Sequence, residues 1–531
     1  MKKIVLTQFF NFGGRSLENS KYVLTIAGIL YLISNIGWMF AHGVFWDDWC
    51  VYENPIGIKE MMSGNGAVWS INFHLFLLNF SHQISVDVAS LYRFVLFFIG
   101  FINVCLYFYA LKQLKLNNIF VFFSTIMFAS WPLGYSHMLM CCFFYQVGVL
   151  FQLLAIFLFI EVINRNNHIL SLGVFVSQYF ASMFLNSTIV FWFGFLVVMA
   201  TVKTFKDFSC TYGYGIIWLK KIFCYTIYFL PCLAFWVMRM VFWMPTGLYA
   251  SSNYNTITFQ NVVRSPLDLL RVFMNTLSFI FNQFAFISSS ILFLLVFLTI
   301  LFVIVFLTKN RVTISGSMNI PFVISLIFMS VCSIVPYILV GKILVFDSVD
   351  DRYGILLTLI VPLIIVSLLL HFKSNSNNLV LISVSLFCTY SLSQSLEAIR
   401  LSHRNDAIIE FFKKNELPSG NVIVVEEQCP KLGSNFYSWA GLYHKATGLQ
   451  NRCFELICQG KLYDGSGFFT EQYCQKNAKT GAPTFKIFFA NEEISYIATL
   501  KRLLMFYIDQ DKYKQMALND FDIRWERIAY N

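Results

Sequence analysis

The stretch FAFISSSILFLLVFLTILFVIVFL, residues 284–307, contains no charged residue. A helix of roughly 20 apolar residues crosses the ~30 Å hydrocarbon core of a bilayer, and this run is long enough to do so. Similar runs recur along the 531-residue chain, which is 57% hydrophobic and 12% charged and holds 60 phenylalanines. Its mean hydropathy is +0.65. A soluble domain carries about twice that charged fraction. The pattern predicts an all-α polytopic membrane protein with about eleven transmembrane helices. They fall at 22–44, 92–111, 119–137, 141–163, 169–185, 187–202, 222–244, 284–307, 320–341, 353–371 and 378–396. The net charge of +10 then reads as basic cytoplasmic loops, and no basic run calls for a nucleic-acid partner.

Orientation follows from the same residues. Lys2, Lys3, Arg15, Lys112, Lys203, Lys220, Lys309, Arg311 and Lys373 fall on one set of loops. The other set carries only Lys59, Arg93, Arg264, Arg271, Lys342 and Arg352 before the tail. The first set is expected in the cytoplasm, with the N-terminus. Ala41-His42-Gly43 is a poor cleavage site, so the first span is expected to be retained. Three segments are then external: 45–91, 245–283 and the tail. The division is a membrane domain, 1–396, and a soluble extracytoplasmic domain, 397–531.

The tail opens on EAIRLSHRNDAIIEFFKKN, which has helical periodicity. NVIVV (421–425) and TFKIFFA (484–490) read as buried strands. A small α/β or α+β module is expected. Its cysteines, Cys429, Cys453, Cys458 and Cys474, are separated by 23, 4 and 15 residues. That spacing lacks paired CxxC and argues against a metal site; two disulfides or four free thiols both remain open.

The external face carries a charged pair in GVFWDDWCVYENP, residues 43–55. Asp47 and Asp48 follow the first span directly. Adjacent carboxylates repel, which raises the pKa of one. Such a group suits a general base, or a divalent cation at Asp47/Asp48; a solvated turn is the plain structural reading. Trp46 and Trp49 form either an aromatic belt at the interface or a stacking surface for a sugar ring. The loop GKILVFDSVDDRYGILL, 341–357, places Lys342, Arg352 and Tyr353 at the outer surface. Arginine suits a phosphate by its forked donors; snorkelling to lipid or pairing with Asp347, Asp350 or Asp351 are the alternatives. Glu53, His74 and His137 are further external polar groups that suit sugar or acceptor contacts, or simple interfacial positions.

Several of these features together resemble the GT-C glycosyltransferases, integral membrane enzymes that take a sugar from a polyprenyl-phosphate carrier. They are the acidic pair after the first span, the long first external loop, the late Arg352-Tyr353, Leu91-Tyr92-Arg93 opening the second span, and NFHLFLLN (72–79), which resembles a loop helix lying along the membrane. The general character is similar to bacterial enzymes that decorate O-antigen or other surface polysaccharide. The DDWCVYENP continuation matches no signature of one subfamily, which leaves the sugar open.

The resemblance implies an inverting transfer of a sugar, a hexose such as glucose, from a polyprenyl-phosphate-linked donor to a surface glycan at the periplasmic face of a bacterial inner membrane. Asp47 or Asp48 would take the acceptor proton. Arg352, with Lys342, Arg93 and Tyr353, would hold the donor phosphate. Trp46, Trp49, Glu53, His74 and His137 would line the sugar and acceptor sites. No cofactor is obligatory. A carrier-charging enzyme and a flippase are implied partners besides membrane lipid. Competing functions are a flippase or transporter for a lipid-linked glycan, and a polysaccharide polymerase or ligase. A transporter predicts broken helices and internal repeats, which the sequence does not display.

Overall fold

The computed structural model describes residues 20–45, 48–49, 52, 55–132, 139–165, 167–207, 214–246, 256–308, 320–346, 349–370, 376–417, 421–426, 436–448, 454–458, 461–463, 484–491 and 495–528. Asp47, Trp46, Glu53, His137, Asp347, Cys429, Cys453 and Cys474 lie outside the described residues, as does the side chain of Cys458.

The helices are α1 (Ser20–Phe40), α2 (Pro55–Gly64), α3 (Ile71–Gln83), α4 (Val88–Gln113), α5 (Asn118–Ala129), α6 (Phe143–Arg165), α7 (His168–Phe184), α8 (Thr188–Asp207), α9 (Tyr214–Thr226), α10 (Leu230–Phe242), α11 (Phe259–Ser289), α12 (Ile291–Thr308), α13 (Ile320–Leu339), α14 (Val361–Leu369) and α15 (Ser376–Lys414). Then come β1 (Asn421–Glu426), α16 (Phe436–Thr447), β2 (Phe454–Cys458), β3 (Lys461–Tyr463), β4 (Thr484–Asn491), α17 (Tyr496–Ile508), α18 (Gln510–Asn519) and β5 (Phe521–Ile528).

Among the described residues, eight helices are long and apolar enough to cross a membrane. The protein is a helical multi-pass protein. Seven of the eight coincide with predicted spans; the eighth is α11, expected in an external segment. The predicted spans at 119–137, 169–185, 187–202 and 353–371 hold apolar helices of 10–17 residues. α8 as a whole, Thr188–Asp207, has 20 residues, about 30 Å at helical rise, the width of a bilayer core. α11 escaped the hydropathy reading because Asn261, Arg264, Asp268 and Arg271 punctuate it. Its apolar face shows instead in Phe259, Val263, Leu267 and Phe273, all exposed.

The chain forms two compact units. One comprises 1–36, 95–137 and 142–393; the other comprises 37–94, 138–141 and 394–531. In the first, lipid removes most of the hydrophobic drive between helices, so close packing and hydrogen bonds must hold them. Gly194 of α8 lies where a Cβ would meet Cys332 Sγ of α13 at 2.7 Å, so only glycine admits this approach. Trp192 Nε1 donates to the Tyr228 carbonyl at 2.8 Å, and Tyr107 Oη donates to the Leu359 carbonyl at 3.1 Å. Val272, Ile334, Ile338, Leu344 and Leu357 pack into one buried cluster, which seats the loop after α13.

In the second unit the sheet order is β3-β2-β1-β4-β5. β1 pairs in parallel with β2 and β4, and the two edge pairs are antiparallel. A central parallel strand reads as an unbroken apolar run, as NVIVV does; its Ile423 and Val425 face is half-buried. Val422, Val424 and Ile487 are buried. α15 has 39 residues, about 58 Å at helical rise, nearly twice a bilayer core. One helix therefore supplies both an apolar span and the polar segment beginning near residue 397.

Candidate functional site

Asp48 opens a single helical turn just after the chain leaves α1. Its N–H donates to the Phe45 carbonyl at 3.0 Å, and Tyr52 N–H returns to the Asp48 carbonyl at 2.8 Å. The side chain is fully buried. Oδ1 accepts the backbone N–H of Cys141 at 2.9 Å, while Oδ2 has no hydrogen-bond partner among the described residues. Burial pushes the Asp48 carboxyl up to about 7, against the opposing pull of the Cys141 and Met140 N–H groups and of Arg93.

Arg93 is also buried. Its two terminal nitrogens donate to the carbonyls of Ala41 and Gly43, and its guanidinium lies 5.4 Å from the Phe45 ring centroid. Arg93 thus pins the strand of chain that carries Asp48. His74 is buried, and its Nδ1 is hydrogen-bonded to the Tyr92 hydroxyl. Burial lowers the His74 imidazole to about 4, so it is neutral at pH 7.

Trp49 is 5% exposed. Its indole stands edge-on to Tyr52 at 5.6 Å and fills the space where Gly441 has no Cβ. The structure therefore places this ring inside the fold. Beside it, Tyr52 Oη donates to Asp87 Oδ1 at 2.8 Å, and Lys445 Nζ donates to Tyr52 Oη at 2.7 Å.

The late cations lie in the other unit. α13 ends in a paired cap: Lys342 N–H donates to the Tyr337 carbonyl and Gly341 N–H to the Ile338 carbonyl, both at 2.9 Å. Gly341 has φ +77°, the left-handed conformation that this cap needs and glycine adopts freely. The cap turns the chain so that Lys342 Nζ sits 5.4 Å from the Tyr353 ring centroid. Arg352, in the 3₁₀ turn Val349–Gly354, lies 5.0 Å from the same ring and donates to Tyr353 Oη at 2.9 Å. Asp350 is 3.9 Å from Arg352. Burial and the neighbouring Arg352 lower the Lys342 ammonium to about 8. Tyr337 stacks obliquely on Tyr353 at 5.0 Å, and its hydroxyl meets Ser187 Oγ at 2.9 Å.

Of the sequence-predicted residues, Asp48, Trp49, His74 and Arg93 thus share one unit, and Lys342, Arg352 and Tyr353 share the other. The partners Cys141, Tyr337 and Ser187 were not foreseen, because backbone N–H groups and neutral hydroxyls leave no mark in a charge pattern. Among the described residues, His42, His403 and Asp406 form a group able to hold a metal ion. The only hint of it in the sequence is the three-residue spacing of His403 and Asp406. Compared with known proteins, the chain matches no family model and no curated relative.

Proposed function

We propose that the protein is an inverting glycosyltransferase of the GT-C kind, using a polyprenyl-phosphate-linked sugar, a hexose such as glucose, and a surface glycan acceptor such as O-antigen. The observation that carries the reading is Asp48. It is a buried carboxylate with one oxygen held by a backbone N–H, the other without a hydrogen-bond partner among the described residues, and a pKa near neutrality. A base poised near the working pH is the most effective proton acceptor.

In this reading the acceptor hydroxyl oxygen attacks the anomeric carbon while its proton passes to Asp48 Oδ2. The bond from the anomeric carbon to the phosphate oxygen breaks, and the polyprenyl phosphate leaves with the electron pair. Lys342 and Arg352 are assigned the growing phosphate charge, which preformed cations stabilise most in a water-poor site. The basic-loop bias supports a cytoplasmic N-terminus, and a periplasmic 397–531 segment follows from it only with an odd number of spans, such as the eleven expected from the sequence. A transporter or a polymerase of lipid-linked glycan would also use the cations, but gives the near-neutral carboxylate no task.

The test is the mass profile of surface polysaccharide from cells lacking the chain, complemented with wild type or Asp48→Asn at equal membrane levels. The reading expects one hexose-sized increment with wild type and none with Asp48→Asn. An increment that persists in the variant removes Asp48 as the base.

A further inference from the structure

Away from Asp48 and the Lys342–Arg352 pair, one cluster gathers metal-ligating side chains from distant parts of the sequence. His403 and Asp406 stand three residues apart on α15, hence on one face of the helix. His42 comes from the stretch that leaves α1. One donor atom from each lies within 4.8 Å of the others. His42 Nε2 is 2.6 Å from Asp406 Oδ2. Tyr513 Oη bridges the pair on α15, at 2.6 Å from both His403 Nδ1 and Asp406 Oδ2. Phe506 stacks on the His42 ring at 4.1 Å and holds its plane.

We propose that His42, His403 and Asp406 bind one divalent transition metal of the zinc class, with Tyr513 orienting the α15 ligands. The donor set decides the class. Two imidazole nitrogens and one carboxylate suit zinc and its neighbours, whereas calcium and magnesium take oxygen ligands. An acid and a histidine three apart on one helix is a ligand spacing that helices use in metal sites, with further ligands from a second element. Zinc bonds of about 2.0–2.2 Å set neighbouring donors roughly 3.4 Å apart. The His42–Asp406 contact would open from 2.6 Å, and the widest pair, at most 4.8 Å, would close by little more than an ångström.

Access and charge agree. The side chains of His42 and Asp406 are 12% and 24% exposed, while His403 is buried, so an ion has a way in and a fixed floor. Among the described residues, two cations act on the cluster: Arg502, engaged with Asp520, and Lys445, which donates to Tyr52 Oη. Three protein ligands leave a fourth position for water. The metal would also clamp the stretch that carries Asp48 to α15. Flanking hydrogen bonds already follow that line: Gly43 N–H to Ser402 Oγ at 2.9 Å, and Asn405 Nδ2 to the Val44 carbonyl at 3.0 Å.

The proposal stands apart from the transferase reading, and its test reads metal, not transfer. Full-length protein in detergent is stripped with chelator, exposed to zinc, passed through a desalting column and assayed for bound metal. A parallel sample takes cobalt, whose visible absorption reports the ligand set. About one zinc per chain is expected for wild type, as for a three-ligand site, with tetrahedral-type cobalt bands. His42→Ala and Asp406→Asn should lose both. Tyr513→Phe keeps the ligands and should bind roughly 10–100-fold more weakly, as when an outer partner is removed. Folding of each variant is checked by gel filtration, and Tyr513→Phe keeps the test decisive if a ligand variant fails to fold. Folded wild type that retains no zinc shows a hydrogen-bond network only and overturns the site. Zinc retained equally by His42→Ala and Asp406→Asn places the ion elsewhere and overturns it as well.

Discussion

The backbone N–H of Cys141 donates to Oδ1 of Asp48 across 93 residues of sequence, at 2.9 Å. This bond leaves the carboxylate with one anchored oxygen and one without a hydrogen-bond partner among the described residues. Asp48→Asn removes the proposed base but keeps the shape, so on that reading transfer should fall roughly 10²–10⁴-fold, the usual worth of a positioned base. Stability should move the other way. Burial raises the folded pKa to about 7 from 3.8. The stability this contributes is present in full below about pH 4 and is lost as pH rises through about 7. Wild type should therefore melt at progressively lower temperature between pH 5 and 8 in detergent, and Asp48→Asn should lack that part of the slope. Identical slopes for the two proteins would show that Asp48 is ionised throughout.

On the proposed reading, Lys342 would set the alkaline limit of transfer. Its ammonium is lowered to about 8, so above that pH the proposed phosphate site keeps Arg352 as its remaining cation of the pair. With Asp48 near 7, transfer should follow a narrow bell against pH, rising through about 7 and falling through about 8. Lys342→Arg stays charged and should carry the falling limb upward, leaving the rising limb in place. Arg352→Ala should lower kcat about 10²–10³-fold, comparable to losing one preorganised donor. Initial rates from pH 6 to 10 decide it: a falling limb unmoved in Lys342→Arg detaches Lys342 from the reaction.

How far the sequence reaches is visible in particular elements. The run at 291–308 needs nothing beyond its own apolarity to be a span. β1 is legible because its run Val422–Val425 is apolar throughout, although its Ile423 and Val425 face is only half-buried. β5, FDIRWERI, alternates charge with bulk at a sheet edge and gave no such sign. α5 and α14 are apolar but, among the described residues, shorter than the spans predicted around them, whereas α7 and α8 match theirs in extent. The Asp48–Cys141 bond and the His42–Asp406 contact join residues 93 and 364 positions apart, and no periodicity encodes such meetings. The aspartate pair stands out as charge in an apolar chain, but nothing in the sequence pattern marks the burial of Asp48.

Trp49 tests the packing beside that stretch. An ideal Cβ on Gly441 would lie 2.5 Å from Trp49 Cδ2, inside van der Waals contact. The indole is buried and rigid, so it cannot swing clear as a long flexible side chain would. Gly441→Ala should destabilise by about 1–3 kcal/mol through overpacking, despite its gain in helix propensity within α16. Gly448→Ala has open space around its Cβ but a φ of +72°, so it loses stability through backbone strain alone and serves as a comparison. Near-ultraviolet circular dichroism should separate them: Gly441→Ala perturbs tryptophan signals and Gly448→Ala does not. Unchanged signals and melting in Gly441→Ala would mean the helix and the indole part easily.

Glu426 at the end of β1 is buried, and its Oε1 accepts from Arg404 at 2.6 Å and from Trp439 Nε1 at 2.6 Å. The Arg404 guanidinium lies 5.7 Å from the Trp439 ring centroid, so α15, β1 and α16 meet at one ion pair. Two charges removed from water are only tolerated together. Arg404→Met fits the volume but strands the carboxylate, which should cost about 3–5 kcal/mol and lower the melting midpoint by roughly 10 °C for a unit of this size. Adding Glu426→Gln removes the charge while the amide oxygen still accepts from Trp439. The double variant should therefore recover most of the loss, even though it carries more changes. Thermal melts of the three proteins in one detergent settle the matter. A double variant no more stable than Arg404→Met would show that the guanidinium acts by packing on Trp439, and that the buried charge is neutralised in another way.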